Sequence, residues 1–143
     1  MQNDTIELLK ECNAGVKMGV SSIEDVLDKV ESGELKAVLT KNKEAHQELG
    51  SRLHEILNEY DEPGKDPNLM ARGMSWMKTN VMMQMDYSDH TIADVMTDGC
   101  NMGVKSLNRY LNKYQAAEKE AKDICEDLIS LEQNLTQDLR IFL

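Results

Sequence analysis

The 143-residue chain predicts an all-α fold, a single domain over residues 1–143 built as a four-helix bundle of two helical hairpins, with a long crossover that carries a short extra helix. Three observations predict it. No run alternates β-branched and polar residues, and aromatic residues make up only 4% of the chain, so strands have little to form from. Apolar residues instead recur at helical spacing in long blocks. Both prolines, Pro63 and Pro67, fall in one stretch, DEPGKDPNL, which separates the chain into two helical halves.

The first helix is expected over about 4–31. Ile6, Leu9, Val16, Val20, Ile23, Leu27 and Val30 alternate at spacings of four and three, with Asn13 filling the one gap, as in a helix that buries one seam. ESGE at 31–34 supplies a turn, with Gly33 as the stop. A second helix is expected over 34–60, its stripe being Leu35, Val38, Leu39, His46, Leu49, Leu53, Ile56 and Leu57. So short a connection makes the two helices antiparallel neighbours. The short extra helix is expected over 70–85, MARGMSWMKTNVMMQM. Ser88 then reads as an N-cap, and Asp89 places a negative charge where the helix dipole favours it, opening a third helix over 89–116. A fourth follows over 117–142, and KYQAAEKEAK, without Gly or Pro, leaves the border between the last two blurred.

One element occurs twice. Cys12, Asn13, Gly15, Val16 and Lys17 are matched 88 residues later by Cys100, Asn101, Gly103, Val104 and Lys105, which lays the first helix on the third as if a hairpin had been duplicated. A glycine inside a helix costs about 1 kcal/mol relative to alanine. The expected return is steric: small residues at the same height on helices one and three let them approach closely or admit a bulky neighbour. Asn13 is then a polar residue on an apolar seam, a device that fixes register; Asn101 takes the matching place.

Sixteen basic and 26 acidic residues give a net charge of −10, which disfavours nucleic acid and anionic membranes as partners. No apolar run reaches the ~18 residues of a membrane span, and MQNDTIELLK carries no secretory signal, so a cytoplasmic location is expected. Three cysteines form neither a disulfide framework nor a paired CxxC pattern; buried thiols acting as small hydrophobes are expected, against a nucleophilic or redox reading of Cys12 and Cys100.

ELKAVLTKNKEAHQELGSRLHEIL, EPGKDPNLMARGMSWMK and LISLEQNLTQDLRIFL resemble segments of the small bacterial ferritin-like proteins grouped as a domain of unknown function, and the resemblance covers most of the chain. It implies a ferritin-like bundle with one long crossover and no defined activity. Di-iron ferritin-like bundles take a glutamate from each of two helices and a Glu-x-x-His pair from each of the other two. That set is missing: no Glu-x-x-His occurs, and the matching stretches read Glu44-x-x-Gln47, His46-x-x-Leu49 and Glu132-x-x-Leu135.

The remaining candidates are few. His46, on the second stripe, and Glu132 could hold one ion, or could hydrogen-bond to each other across the bundle. His90 and Asp94, with Asp98, recur at spacings of four and could hold a divalent ion, or form a solvated face. Met70, Met74, Met77 and Met85 beside Trp76 form a stripe suited to core packing or self-association, to a partner helix, or to Cu(I). GxGxxG, GxxxxGK and GxSxG are absent. The sequence therefore points to a non-enzymatic bundle without a cofactor, acting through self-association, a dimer being favoured, or through a protein partner. The alternative is a degenerate metal or redox bundle retaining one ion near His46 and Glu132.

Overall fold

A computed structural model of the chain describes residues 2–60, 80–81 and 87–143. The described residues form four long α-helices: α1 (Gln2–Leu27), α2 (Gly33–Glu59), α3 (Asp89–Lys113) and α4 (Lys119–Leu139). A 3₁₀ turn, Arg140–Phe142, ends the chain, and no strand occurs among the described residues. No helix among them is long and apolar enough to cross a membrane. Of the helix expected over 70–85, only Asn80 and Val81 are described; both are helical, and Val81 is fully buried. Met70, Met74, Trp76, Met77 and Met85 lie outside the described residues.

The helix ends correct the sequence reading in three places. α1 stops at Leu27 rather than 31, because Lys29 N–H donates to the Val26 carbonyl (2.9 Å) and tightens the last turn. Gly33 is not its stop; it opens α2, whose N-cap Ser32 accepts a hydrogen bond from Leu35 N–H at 3.2 Å. The third and fourth helices are separated by residues 114–118, well before and after the expected junction at 116 and 117. That break is set from a distance. Asp4 of α1 accepts Ala116 N–H at 3.1 Å, and the Thr5 hydroxyl accepts Glu118 N–H at 2.8 Å, so α1 satisfies backbone donors that a continuing helix would have used itself.

The opposite end mirrors this arrangement. Ser88 caps α3 through Thr91 N–H, and the Asp89 carboxylate accepts both Glu31 N–H and Ser32 N–H at 2.9 Å. The start of α3 therefore lies against the turn between α1 and α2, while the start of α1 lies against the turn between α3 and α4. It follows that α1 and α4 run parallel, that α2 and α3 run parallel to each other and opposite to that pair, and that Tyr60 and Tyr87 lie at opposite ends of the bundle.

Two apolar clusters make up the core. Near the α1–α2 turn, Ile23, Val26, Leu35, Leu39, Ile92, Val95, Leu135 and Leu139 pack together. Toward the other end, Leu8, Leu9, Val16, Leu49, Leu53, Leu107, Ile124 and Leu128 do the same. On every helix the residues between the two clusters belong to neither: around Gly19 on α1, Asn42 and His46 on α2, Gly103 on α3 and Glu132 on α4. The core is thus divided at mid-height by a polar layer.

Candidate functional site

His46 is the centre of that layer. Its ring is 1% exposed and both nitrogens are bound: Nδ1 lies 3.0 Å from the Asn42 carbonyl one turn earlier, and Nε2 lies 3.1 Å from Oε1 of Glu132. A carbonyl only accepts, so Nδ1 carries a proton. The bond to Glu132 needs a second proton, held by the ring as imidazolium facing carboxylate or by the acid facing a neutral ring. Either way the pair is neutral overall, which is how a buried layer can hold it. Burial by itself works against the charged ring; the Glu132 hydrogen bond and charge, together with the Asn42 carbonyl, outweigh burial and raise the His46 pKa above its ordinary value.

Glu132 has a second neighbour. Burial, then the Glu132 charge and its hydrogen bond, push the Cys100 thiol well above its usual range. Asn42 donates its Nδ2 to the Leu131 carbonyl at 3.1 Å, and its Oδ1 is buried without a hydrogen-bond partner.

Between α1 and α3 runs a cleft of about 740 Å³, floored by Asn42, His46, Glu132 and Cys100. Its origin is the loss of side chains: α1 contributes Ala14, Gly15, Gly19 and Ser22 to the walls, and α3 contributes Gly99, Gly103 and Ser106. Gly19 is required by contact, since a Cβ there would lie 2.8 Å from two atoms of the His46 ring. Gly103 is different. A Cβ there would meet nothing nearer than the Glu132 carboxyl carbon at 3.6 Å, so its absence widens the cleft.

The repeated element therefore does not act as a matched pair. Gly15 packs on Leu128, with a Cβ position 3.3 Å from its side chain, one turn away from the Glu132 level where Gly103 lies; Gly19 is the residue that faces Gly103 in height. Far from closing the α1–α3 seam, the small residues leave it open. Asn13 is buried as expected of a polar seam residue, whereas Asn101 is exposed, because α3 packs chiefly on α4 and is covered over a narrower arc. Cys12 and Cys100 are both buried, in different clusters. Cys12 meets Cys125 of the parallel α4: hydrogen bonding to that thiol, then burial, holds its own thiol far above the usual range. That encounter was invisible in the sequence, which offers no Cys-x-x-Cys spacing.

No family model, curated protein or solved structure matches this chain.

Among the described residues no group of three His, Cys, Asp or Glu side chains could hold a metal ion. At the height of Glu132, α1 and α3 present Gly19 and Gly103 where a di-iron bundle needs carboxylates, and both His46 nitrogens are committed within the fold, so the residues present do not fit a di-iron centre. His90, Asp94 and Asp98 are exposed on α3, away from this layer. Gly19 and Gly99 were missed by the sequence reading. The signal was there, since Gly15-x-x-x-Gly19 and Gly99-x-x-x-Gly103 put two glycines one turn apart on each helix.

Proposed function

We propose that this chain is a non-enzymatic helical bundle of ferritin-like connectivity that works by binding, and that the α1–α3 cleft is its binding face. The observation that carries the proposal is the cleft itself, about 740 Å³ of open space leading to a polar floor inside an otherwise apolar core. The ferritin-like part is supported by α2 and α3 running parallel, a direction that needs one long crossover between Tyr60 and Tyr87. The non-enzymatic part is supported by the commitment of both His46 nitrogens and by the raised thiols of Cys12 and Cys100, which disfavour thiolate nucleophiles.

A fluorescent apolar dye such as anilinonaphthalene sulfonate or Nile red tests this reading. Saturable binding of one dye per chain, lost in Gly103→Leu while helical circular dichroism is retained, is the expected result. Unchanged dye binding by Gly103→Leu would remove the cleft from consideration. Self-association is the second reading, favoured by Met18 and Met102, which line the cleft and are 37% and 54% exposed. A dimer in sedimentation equilibrium that Gly103→Leu converts to monomer would make a second copy the occupant.

A further inference from the structure

The floor of the cleft has a chemical bias. Its nitrogen donors are used: His46 spends both nitrogens on Asn42 and Glu132, and the Asn42 amide donates to Leu131. Its acceptors are not. Asn42, 8% exposed, keeps Oδ1 buried and unpartnered, and Glu132 presents Oε2 toward Gly103, with only a weak thiol donor beside it. Glu132 Oε2 borders the open side of the cleft at Gly103, so a donor arriving from a ligand can reach it. The walls above combine apolar side chains, Met18, Met96, Leu107 and Leu128 among them, with the charged Glu11 and Lys113. The chain carries a net charge of −10, which raises the local concentration of cations over anions.

The geometry points to a cationic amphiphile as the ligand class: a primary amine on an alkyl or aromatic body, with its ammonium on the Glu132 carboxylate and its body along the methionine and leucine side chains of the walls. This rests on the reading of the cleft as a binding face. An ammonium suits the floor because it brings three donors and no acceptor, and because its charge forms a charge-assisted bond to the carboxylate. A carboxylate head would set a second negative charge against Glu132.

Isothermal titration of the full chain with three probes of equal length, octylamine, 1-octanol and octanoate, separates the possibilities. Octylamine is expected to bind one per chain and about tenfold or more tighter than octanol, with octanoate weakest. Glu132→Gln keeps the fold, since its amide can donate to a neutral His46 ring; it is expected to bring octylamine down to the affinity of octanol and to leave octanol within about threefold. Gly103→Leu is expected to abolish all binding. Octanoate binding as tightly as octylamine, or an amine preference that survives Glu132→Gln, would overturn the ligand class and leave the cleft intact as a binding face. Failure of all three probes to bind would overturn both.

Discussion

The two seams that cross this bundle are built from opposite materials. Where α2 meets α4, leucines fill the space on both sides of the His46–Glu132 bond, and Arg52 reaches Asp127 on the surface at 3.4 Å. Where α1 meets α3, Ala14, Gly15, Gly19 and Ser22 face a cleft that Gly99, Gly103 and Ser106 line from the other side. Among the described residues, an opening of about 740 Å³ lies between α1 and α3 and a smaller one of about 310 Å³ between α2 and α4. The difference teaches that a cleft in a helical bundle needs no special loop or bend; removing side chains at one height on two helices is enough. It also explains why the polar layer is tolerable, since a buried pair that borders an opening pays less desolvation than one sealed on every side.

That contrast can be broken by substitution. The largest effect is expected from His46→Ala, which deletes a fully buried ring and strands Glu132, for a loss of about 3 kcal/mol in urea unfolding. Gly19→Ala comes next. Its Cβ would overlap the His46 ring, which is held at both nitrogens, and a net loss of about 2 kcal/mol is expected even after the gain in helix propensity. Gly103→Ala on the open seam should reverse the sign, with nothing closer than 3.6 Å to resist it and up to about 1 kcal/mol gained. A loss at Gly103 equal to that at Gly19 would mean that the two seams are equally packed.

The smallest effect is the pH dependence. Because the folded His46 pKa is raised, its protonation stabilises the fold fully below the ordinary value of about 6.5, and this contribution is lost as pH rises through the higher folded value. One proton limits the slope to about 1.4 kcal/mol per pH unit. Unfolding free energies measured from about pH 6 to 9 should fall along this limb in the parent chain and flatten in Glu132→Gln, where the carboxylate that raises the ring is gone. An NMR titration placing His46 below the ordinary value of about 6.5 would contradict the sign.

The helices themselves were legible, because alternating threes and fours of Ile, Leu and Val leave few other folds open. So was the likelihood that His46, on an apolar stripe, needs a polar partner such as Glu132. What the sequence hid were the features set by register between helices. The α3–α4 break carries no Gly or Pro; Asp4 and Thr5 impose it from more than 100 residues away. The repeat misled in a similar way: identical letters at Gly15 and Gly103 suggested one height, but antiparallel α1 and α3 put Gly19 opposite Gly103 instead. The notch followed from that offset, and no spacing within a single helix reports it.

Asp4 and Thr5 at one end and Asp89 at the other have a consequence for how the chain can come apart. Each hairpin supplies the acceptors that close the turn of the other, so neither hairpin is a finished unit when alone. Opening one hairpin exposes backbone amides in its partner. Amide exchange at Glu31 and Ser32 should therefore track that at Ala116 and Glu118, although the two turns lie at opposite ends of the bundle, and Asp89→Ala should uncouple them. The cross-tied turns make the halves mutually dependent for folding: any cut between them, genetic or proteolytic, would yield two pieces that hold their shape only in each other's company.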